Sequence, residues 1–438
     1  MPNLFVLVST RQSVANLPPV LEHARAGDFV LWVESDEARR GNWTDAARAV
    51  LQERGLATAQ VIAVADVNDP FSVASALTEF VADAQGQYDQ VFYVANGGNN
   101  LSPIGMLLGL KSLNPELLYA DDAPAVCSRY TNFSGPPTTG PFTKHDLDLP
   151  DILRLNGYLI HNAADATRIW PEAPPSAVEA EPYGRDESYT YQLHADHDAW
   201  ARTRRADESA AFPDIPGLAG YQYQRWMHMV EQIQRTRQLN PQMLKSLYHS
   251  TLNLDRAARK ATGARGVPHP VAKLGDSLER AVARRAHHWL AATRHPAVQS
   301  AWLNVVVARD AMPHKPIVDF DVLLVLRNGV LIHLECKSAE VDVRDLDARI
   351  FRLQQTSSRV ARLAVVLPLF TRQAGAVWFN HLCDHRHEIE QAGLSVLPFT
   401  WPDQPAEYSA TDLGLADPIG CPPFEAALEL LLTRYRMM

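Results

Sequence analysis

At 438 residues the chain is long for one ordinary domain, and two domains with room for a connecting module are predicted. Apolar residues make up 46% and charged residues 21%, the balance of a soluble globular protein; no apolar run approaches the ~20 residues that span a bilayer, so no membrane association is expected. A formal net charge of −9 argues against a generally basic nucleic-acid coat.

The first 110 residues alternate between strand-like and helix-like stretches. Leu4–Val8 is an apolar run that ends in the turn Ser9-Thr10-Arg11-Gln12 and a helical pattern through Val20 and His23. Phe29–Val33 is a second strand, followed by a polar stretch and a helix around Trp43–Arg54. Gln60–Ala65 is a third, followed by a helix over Phe71–Ala84. Gln90–Ala95 is a fourth and runs into Asn96-Gly97-Gly98-Asn99-Asn100. Strands alternating with helices predict a parallel sheet covered on both faces, a Rossmann-like layout. Leu117–Tyr119 and Ala125–Tyr130 read as short strands, and Asp148–Tyr158 as a short helix stopped by Gly157.

From Trp170 to about Pro216 the chain is rich in Pro, Ala, Glu and Asp with weak periodicity, which predicts a linker or insertion. Beyond it, Tyr221–Leu254 has helical spacing and Gly275–Ala292 reads as a helix. Ala301–Val307, Asp321–Leu326 and Val330–Cys336 read as strands, Val343–Arg359 as a helix and Ala361–Leu367 as another strand. The expected organisation is an α/β domain over 1–160, a Pro-rich linker or insertion over 161–220, and a second α/β domain with a helical lead-in over 221–438.

Charge is spread unevenly over this layout. Residues 1–150 hold nine Lys/Arg and seventeen Asp/Glu, a difference of −8; residues 201–300 hold sixteen and seven, a difference of +9. A basic middle can face a polyanion, but charge counts alone favour solvated helix faces. Four scattered cysteines (Cys127, Cys336, Cys383, Cys421) without a CxxC pair suit a reducing cytoplasm. The N-terminal MPNLFVLVST has neither a basic flank nor a cleavage site, so a cytoplasmic location is expected.

The segment carrying chemistry is Asp319 to Lys337. Strand periodicity puts Glu335 and Lys337 on one face. Asp321 lies on the partner strand of a hairpin turning at Arg327-Asn328-Gly329, where register decides whether the three can meet. A two-residue Asn328-Gly329 turn sets Asp321 opposite Cys336; a three-residue loop with Gly329 left-handed sets it opposite Glu335. Two facing carboxylates can hold a hard cation such as Mg²⁺ or Mn²⁺, and a nearby lysine can orient water or offset phosphate charge. Glu279, on the preceding helix, is a third acid. An isolated Glu-x-Lys is weak, but here the charges interrupt an apolar strand, where an unpaired charge is costly.

These residues resemble the PD-(D/E)XK nuclease superfamily: Asp321 as the second-strand acid, Glu335-Cys336-Lys337 as the D/E-x-K element, and Glu279 as the upstream helix glutamate. The resemblance implies a catalytic set of Glu279, Asp321, Glu335 and Lys337. The implied metal ligands are Asp321, Glu335 and Cys336, the last through its backbone carbonyl. Gln354 or Gln355 falls where such enzymes keep a polar residue, although a solvent-facing glutamine explains it better.

In the N-terminal half, two strand-end loops suit ligand binding: Ser9-Thr10-Arg11-Gln12, with hydroxyls and a cation, and Asn96-Gly97-Gly98-Asn99-Asn100, whose glycines let backbone amides approach a ligand. The motif is not GxGxxG, so a conventional dinucleotide site is not expected. Joined to the nuclease motifs, this front half is similar to CRISPR ancillary nucleases with a CARF (CRISPR-associated Rossmann fold) sensor, activated by cyclic oligoadenylate. The family's threonine-lysine is Asn99-Asn100 here, so a phosphate-facing cation is missing from that loop. The resemblance implies a homodimer, a two-fold-symmetric pocket for cyclic tetra-adenylate, and metal-dependent cleavage of DNA, with RNA as a second substrate. Two alternatives are a stand-alone restriction or repair nuclease, and a ligand-sensing protein with an inactive nuclease-like domain. His381, Cys383, His385 and His387 have spacing that suits zinc, but the run is polar and reads better as surface.

Overall fold

The computed structural model describes residues 1–11, 13–96, 101–121, 126–131, 135–143, 147–171, 274–337, 343–357, 361–368, 394–399 and 424–433. The expected linker beyond Pro171, the helical lead-in up to residue 273 and the histidine run at 381–387 lie outside these residues.

In the first half, β1 (Leu4–Val8), α1 (Leu17–His23), β2 (Phe29–Ser35), α2 (Asp36–Arg40), α3 (Asp45–Glu53), β3 (Ala57–Val64), α4 (Pro70–Ala84), β4 (Val91–Val94), α5 (Ser102–Leu110) and β5 (Glu116–Asp121) succeed one another. β6 (Val126–Tyr130), β7 (Thr138–Pro141) and α6 (Leu149–Leu155) follow. The sheet order is β3-β2-β1-β4-β5-β6-β7, parallel through β5 and antiparallel beyond. β1 is apolar at every position because a parallel strand is covered on both faces. Leu4, Val6 and Val8 pack against α4 and α5. Phe5 and Leu7 face the other way, towards α1, α3 and α6. Local signals set several boundaries: Asp69 caps α4 through the Phe71 and Ser72 amides, and Pro70 takes the first helical position.

The second sheet begins earlier than the expected linker. β8 (Tyr158–Ile160) and β9 (Thr167–Trp170) both pair with β10 (Val298–Arg309), which follows α7 (Leu274–Thr293). β11 (Met312–Leu326), β12 (Leu331–Cys336), α8 (Val343–Thr356), β13 (Arg362–Pro368), β14 (Ser395–Phe399) and α9 (Phe424–Thr433) complete the described elements. The order β14-β13-β12-β11-β10-β8 is antiparallel from β8 to β12 and parallel from β12 to β14.

The two sheets share one apolar core. Leu17, Val20 and Ile152 belong to the same cluster as Phe320, Leu323, Val325, Leu331, Leu346 and Leu353. Asp148 also ties the halves together. Its carboxylate caps α6 and accepts hydrogen bonds from Ser300 Oγ and from Trp302 Nε1 at 3.1 Å.

The hairpin loop between β11 and β12 has three residues. Val322 pairs with Leu334 and Val325 with Leu331; the Leu326 amide donates to Val330 O at 2.8 Å, and Gly329 has φ +82°. A Cβ on Gly329 would lie 2.9 Å from Val14 Cγ1. Gly329→Ala is therefore expected to cost about 2 kcal/mol from left-handed strain and crowding, read as a lower denaturation midpoint at unchanged m-value.

Candidate active site

Continuing the β11–β12 register by one step places Asp321 opposite Glu335, so the two side chains share a face. This is the register expected for the three-residue loop. Asp321 Oδ2 accepts the Cys336 amide at 2.6 Å, and the Asp321 amide donates to His333 Nε2 at 3.2 Å. Glu335 is 1% exposed. Its Oε1 lies 2.6 Å from Lys337 Nζ and 3.5 Å from Arg349 Nε. Its Oε2 lies 3.4 Å from His333 Nε2 and, although buried, has no hydrogen-bond partner among the described residues. Asp321, His333 and Glu335 each bring one ligand-type atom within 4.8 Å of the others.

The electrostatics of this face are those of a site short of positive charge. Burial pushes the Asp321 carboxyl well above the usual carboxylate range, and Glu335 and Glu279 push it further. Glu279 on α7 thus acts on the same spot as the two strand acids. Burial also lowers His333 to about 4, so it is neutral at pH 7. With Nε2 accepting the Asp321 amide, its proton sits on Nδ1. Burial, followed by Asp321, Glu279 and Glu335, raises the Cys336 thiol well above its ordinary value, so its sulfur is neither a nucleophile nor a thiolate ligand at neutral pH. An orphaned buried oxygen and crowded carboxylates fit a divalent cation, which prefers oxygen ligands.

Two neighbours were not anticipated. His333 was legible, because it is two residues before Glu335 and strand periodicity puts it on the same face. Arg349 was not, since the hydrophobic spacing of α8 does not tell which polar residue turns back to the sheet. Its guanidinium donates to Asp319 O at 2.6 Å and Asp319 Oδ1 at 2.7 Å, which fixes it beside Glu335.

At the other candidate site, β1 and β4 are adjacent parallel strands, so the loops after Val8 and Val94 emerge side by side where strand order reverses. Gln12 and residues 97–100 lie outside the described residues. Ser9 is buried and its hydroxyl accepts from Thr44 Oγ1 at 2.7 Å. The Asn96 side chain exchanges two hydrogen bonds of 2.7 Å with the backbone of Ala120. Both side chains therefore serve the scaffold. Thr10 Oγ1 is buried without a partner among the described residues, and Arg11 is exposed, lining a cleft that also reaches Gln354 and Gln355.

The fold and site define a two-sheet α/β protein with a parallel-rich front sheet and a buried Asp/Glu pair on a hairpin of the second. No protein-family model and no curated protein matches the sequence. Among solved structures, the chain is similar to protein VC1899 from Vibrio cholerae, at 16% identity and TM-score 0.55 over 92% of this chain and 94% of that one. It is also similar to a type III CRISPR defence DNA nuclease activated by cyclic oligoadenylate, at 15% identity and TM-score 0.52, over 99% of this chain but 52% of that one. Can2 from Sulfobacillus thermosulfidooxidans in complex with cyclic tetra-adenylate matches at 12% identity and TM-score 0.49, over 90% and 95% of the two chains. The fold is the one implied by the resemblance to CARF-type CRISPR ancillary nucleases. Among the described residues, no helix is long and apolar enough to cross a membrane.

Proposed function

We propose that this chain is a divalent-metal-dependent nuclease of type III CRISPR defence, switched on by a cyclic oligoadenylate, with cyclic tetra-adenylate as the expected ring. The observation that carries the nuclease reading is the buried Asp321–Glu335 pair with one carboxylate oxygen left unpartnered among the described residues. Asp321, Glu335 and the Cys336 carbonyl would hold Mg²⁺ or Mn²⁺. When bound, such an ion lowers the pKa of a water and offsets charge on a phosphoryl oxygen. Lys337, beside Glu335, orients an attacking water or offsets phosphate charge. His333 anchors the backbone of Asp321, Arg349 lies beside the Glu335 carboxylate, and Glu279 adds negative charge on the same side. The activator is supported by the pair of loops at the strand-order reversal and by a nuclease of the same fold that is itself activated by cyclic oligoadenylate.

The proposal includes a homodimer, because a ring with two-fold symmetry suits a pocket on a two-fold axis. Leu101, Ile104 and Leu108 form an exposed apolar stripe along α5, and Phe71 at the start of α4 is 74% exposed. α5 sits close on α4 through Gly105 and Gly109, and exposed apolar side chains on two packed helices suit a partner surface. Ile104→Asp with Leu108→Asp is expected to give a monomer in light scattering, with an unchanged melting temperature and no activation by the ring.

The decisive assay offers plasmid, single-stranded DNA and RNA with Mn²⁺, with and without cyclic tetra- and hexa-adenylate. Cleavage of DNA only in the presence of a ring is expected. Equal cleavage without a ring would point to a stand-alone restriction or repair nuclease. Ring binding with no cleavage would point to a sensor with an inactive nuclease-like domain.

A further inference from the structure

A cleft of about 1070 Å³ lies between the front sheet and α8; it shares Arg11 with the strand-end loop after β1 and is lined by none of the residues of the Asp321–Glu335 site. Its walls include Arg11 after β1, Trp43 before α3, Arg309 at the end of β10, and Phe351, Gln354 and Gln355 on α8. The size suffices for one or two nucleotides.

Phe351 is the first unusual feature. Leu346 and Leu353 of α8 are buried in the shared core and Ile350 packs against it, yet Phe351 is 63% exposed on the helix's polar side. A large ring held in water on an amphipathic helix offers a stacking surface. Trp43 provides a second ring. A Cβ on Gly41 would overlap the indole at 2.3 Å from Nε1, so the glycine lets the indole lie against the backbone. The polar groups form the second feature. Among the described residues, Arg11, Arg309, Gln354 and Gln355 make no side-chain hydrogen bond or ion pair, although they line one cavity. Arg154, also in the lining, is paired with Glu53 at 2.7 Å. Asp45 and Asp310 line the cleft too. They keep its net charge low, which disfavours a polyphosphate and suits one negative charge per base.

From these features we infer that the cleft binds phosphodiester-linked nucleotides, with bases stacked on Phe351 and Trp43 and phosphate taken by Arg11 and Arg309. The favoured source is a single nucleic-acid strand on its way to the Asp321–Glu335 site. That assignment rests on the nuclease reading, but its test needs no cleavage.

The test is fluorescence anisotropy of a labelled single-stranded DNA 12-mer in EDTA, with the full chain, as wild type, Phe351→Ala, Phe351→Tyr and Arg309→Ala. A second arm measures binding of cyclic tetra-adenylate. Stacking of one base predicts about a tenfold loss for Phe351→Ala, with recovery in Phe351→Tyr. Arg309→Ala is expected to reduce the slope of log affinity against log salt by about 0.7. Both positions are exposed, so melting temperatures are expected to match wild type. Loss of ring binding with intact strand binding would keep the nucleotide site but overturn the strand as its occupant. Unchanged affinity for both ligands in Phe351→Ala and Arg309→Ala would overturn the inference, whether or not the protein cleaves nucleic acid.

Discussion

Glu335→Gln is expected to lower metal-dependent cleavage by about 10³-fold, because it removes one of the two facing charges while keeping the side chain's size. The glutamine oxygen can still accept from Lys337, so the local packing survives and the loss is in charge. Lys337→Ala is expected to cost about 10²-fold, since it leaves both carboxylates in place but takes away the cation 2.6 Å from Glu335 Oε1. The two variants are expected to separate in a second measurement, with Mn²⁺ raising the melting temperature of Lys337→Ala but not of Glu335→Gln. Cleavage surviving both substitutions would mean that the active centre lies elsewhere in the chain.

In metal-free protein at neutral pH, Asp321→Asn is expected to be more stable than wild type. The carboxyl of Asp321 is raised in the folded state, first by burial and then by Glu335 and Glu279. A group raised on folding favours the native state below its unfolded pKa of about 3.9, and that contribution is lost as pH rises through the folded value. The wild-type protein in EDTA should therefore fall behind the asparagine variant between acid and neutral pH, with the gap closing towards pH 4. His333 has the opposite sign, since its pKa is lowered to about 4 and its contribution is lost as pH falls below the ordinary histidine range. It is present in both proteins, so the difference between them isolates Asp321. Mn²⁺ should reverse the order by stabilising wild type alone. A variant that is less stable than wild type at every pH in EDTA would show that the carboxylates are not in conflict. Denaturant titrations across this pH range supply the measurement.

Much of this was legible in the sequence because it depends on short-range rules. The front strands are apolar runs bounded by turn residues, and their alternation with helices specifies a parallel sheet. Helix starts followed local chemistry, as at Asp69-Pro70 and Asp148. In the polar stretch after β2, Ser35 caps a short α2 by accepting the Ala38 amide at 3.2 Å, a signal carried by a serine three residues before its partner. Asp319, Asp321, His333, Glu335 and Lys337 are two apart along their strands, so each set shares a face once the strands exist. Whether the sets meet was undecided between two loop lengths.

By itself, the sequence determined which segments become strands and helices and which acidic and basic residues stand two apart on the β11–β12 hairpin. These follow from backbone periodicity and turn preference within about ten residues. Only the tertiary structure decided that a three-residue loop, with left-handed Gly329 against Val14, sets Asp321 opposite Glu335. It alone brought Arg349 and Glu279 to that face and turned Arg11 into a cleft with Phe351. It also carried β8, at the end of the expected front domain, and β9, inside the expected linker, into the second sheet. Each of these depends on which buried surfaces meet across the shared core, and residues far apart in the chain settle that together.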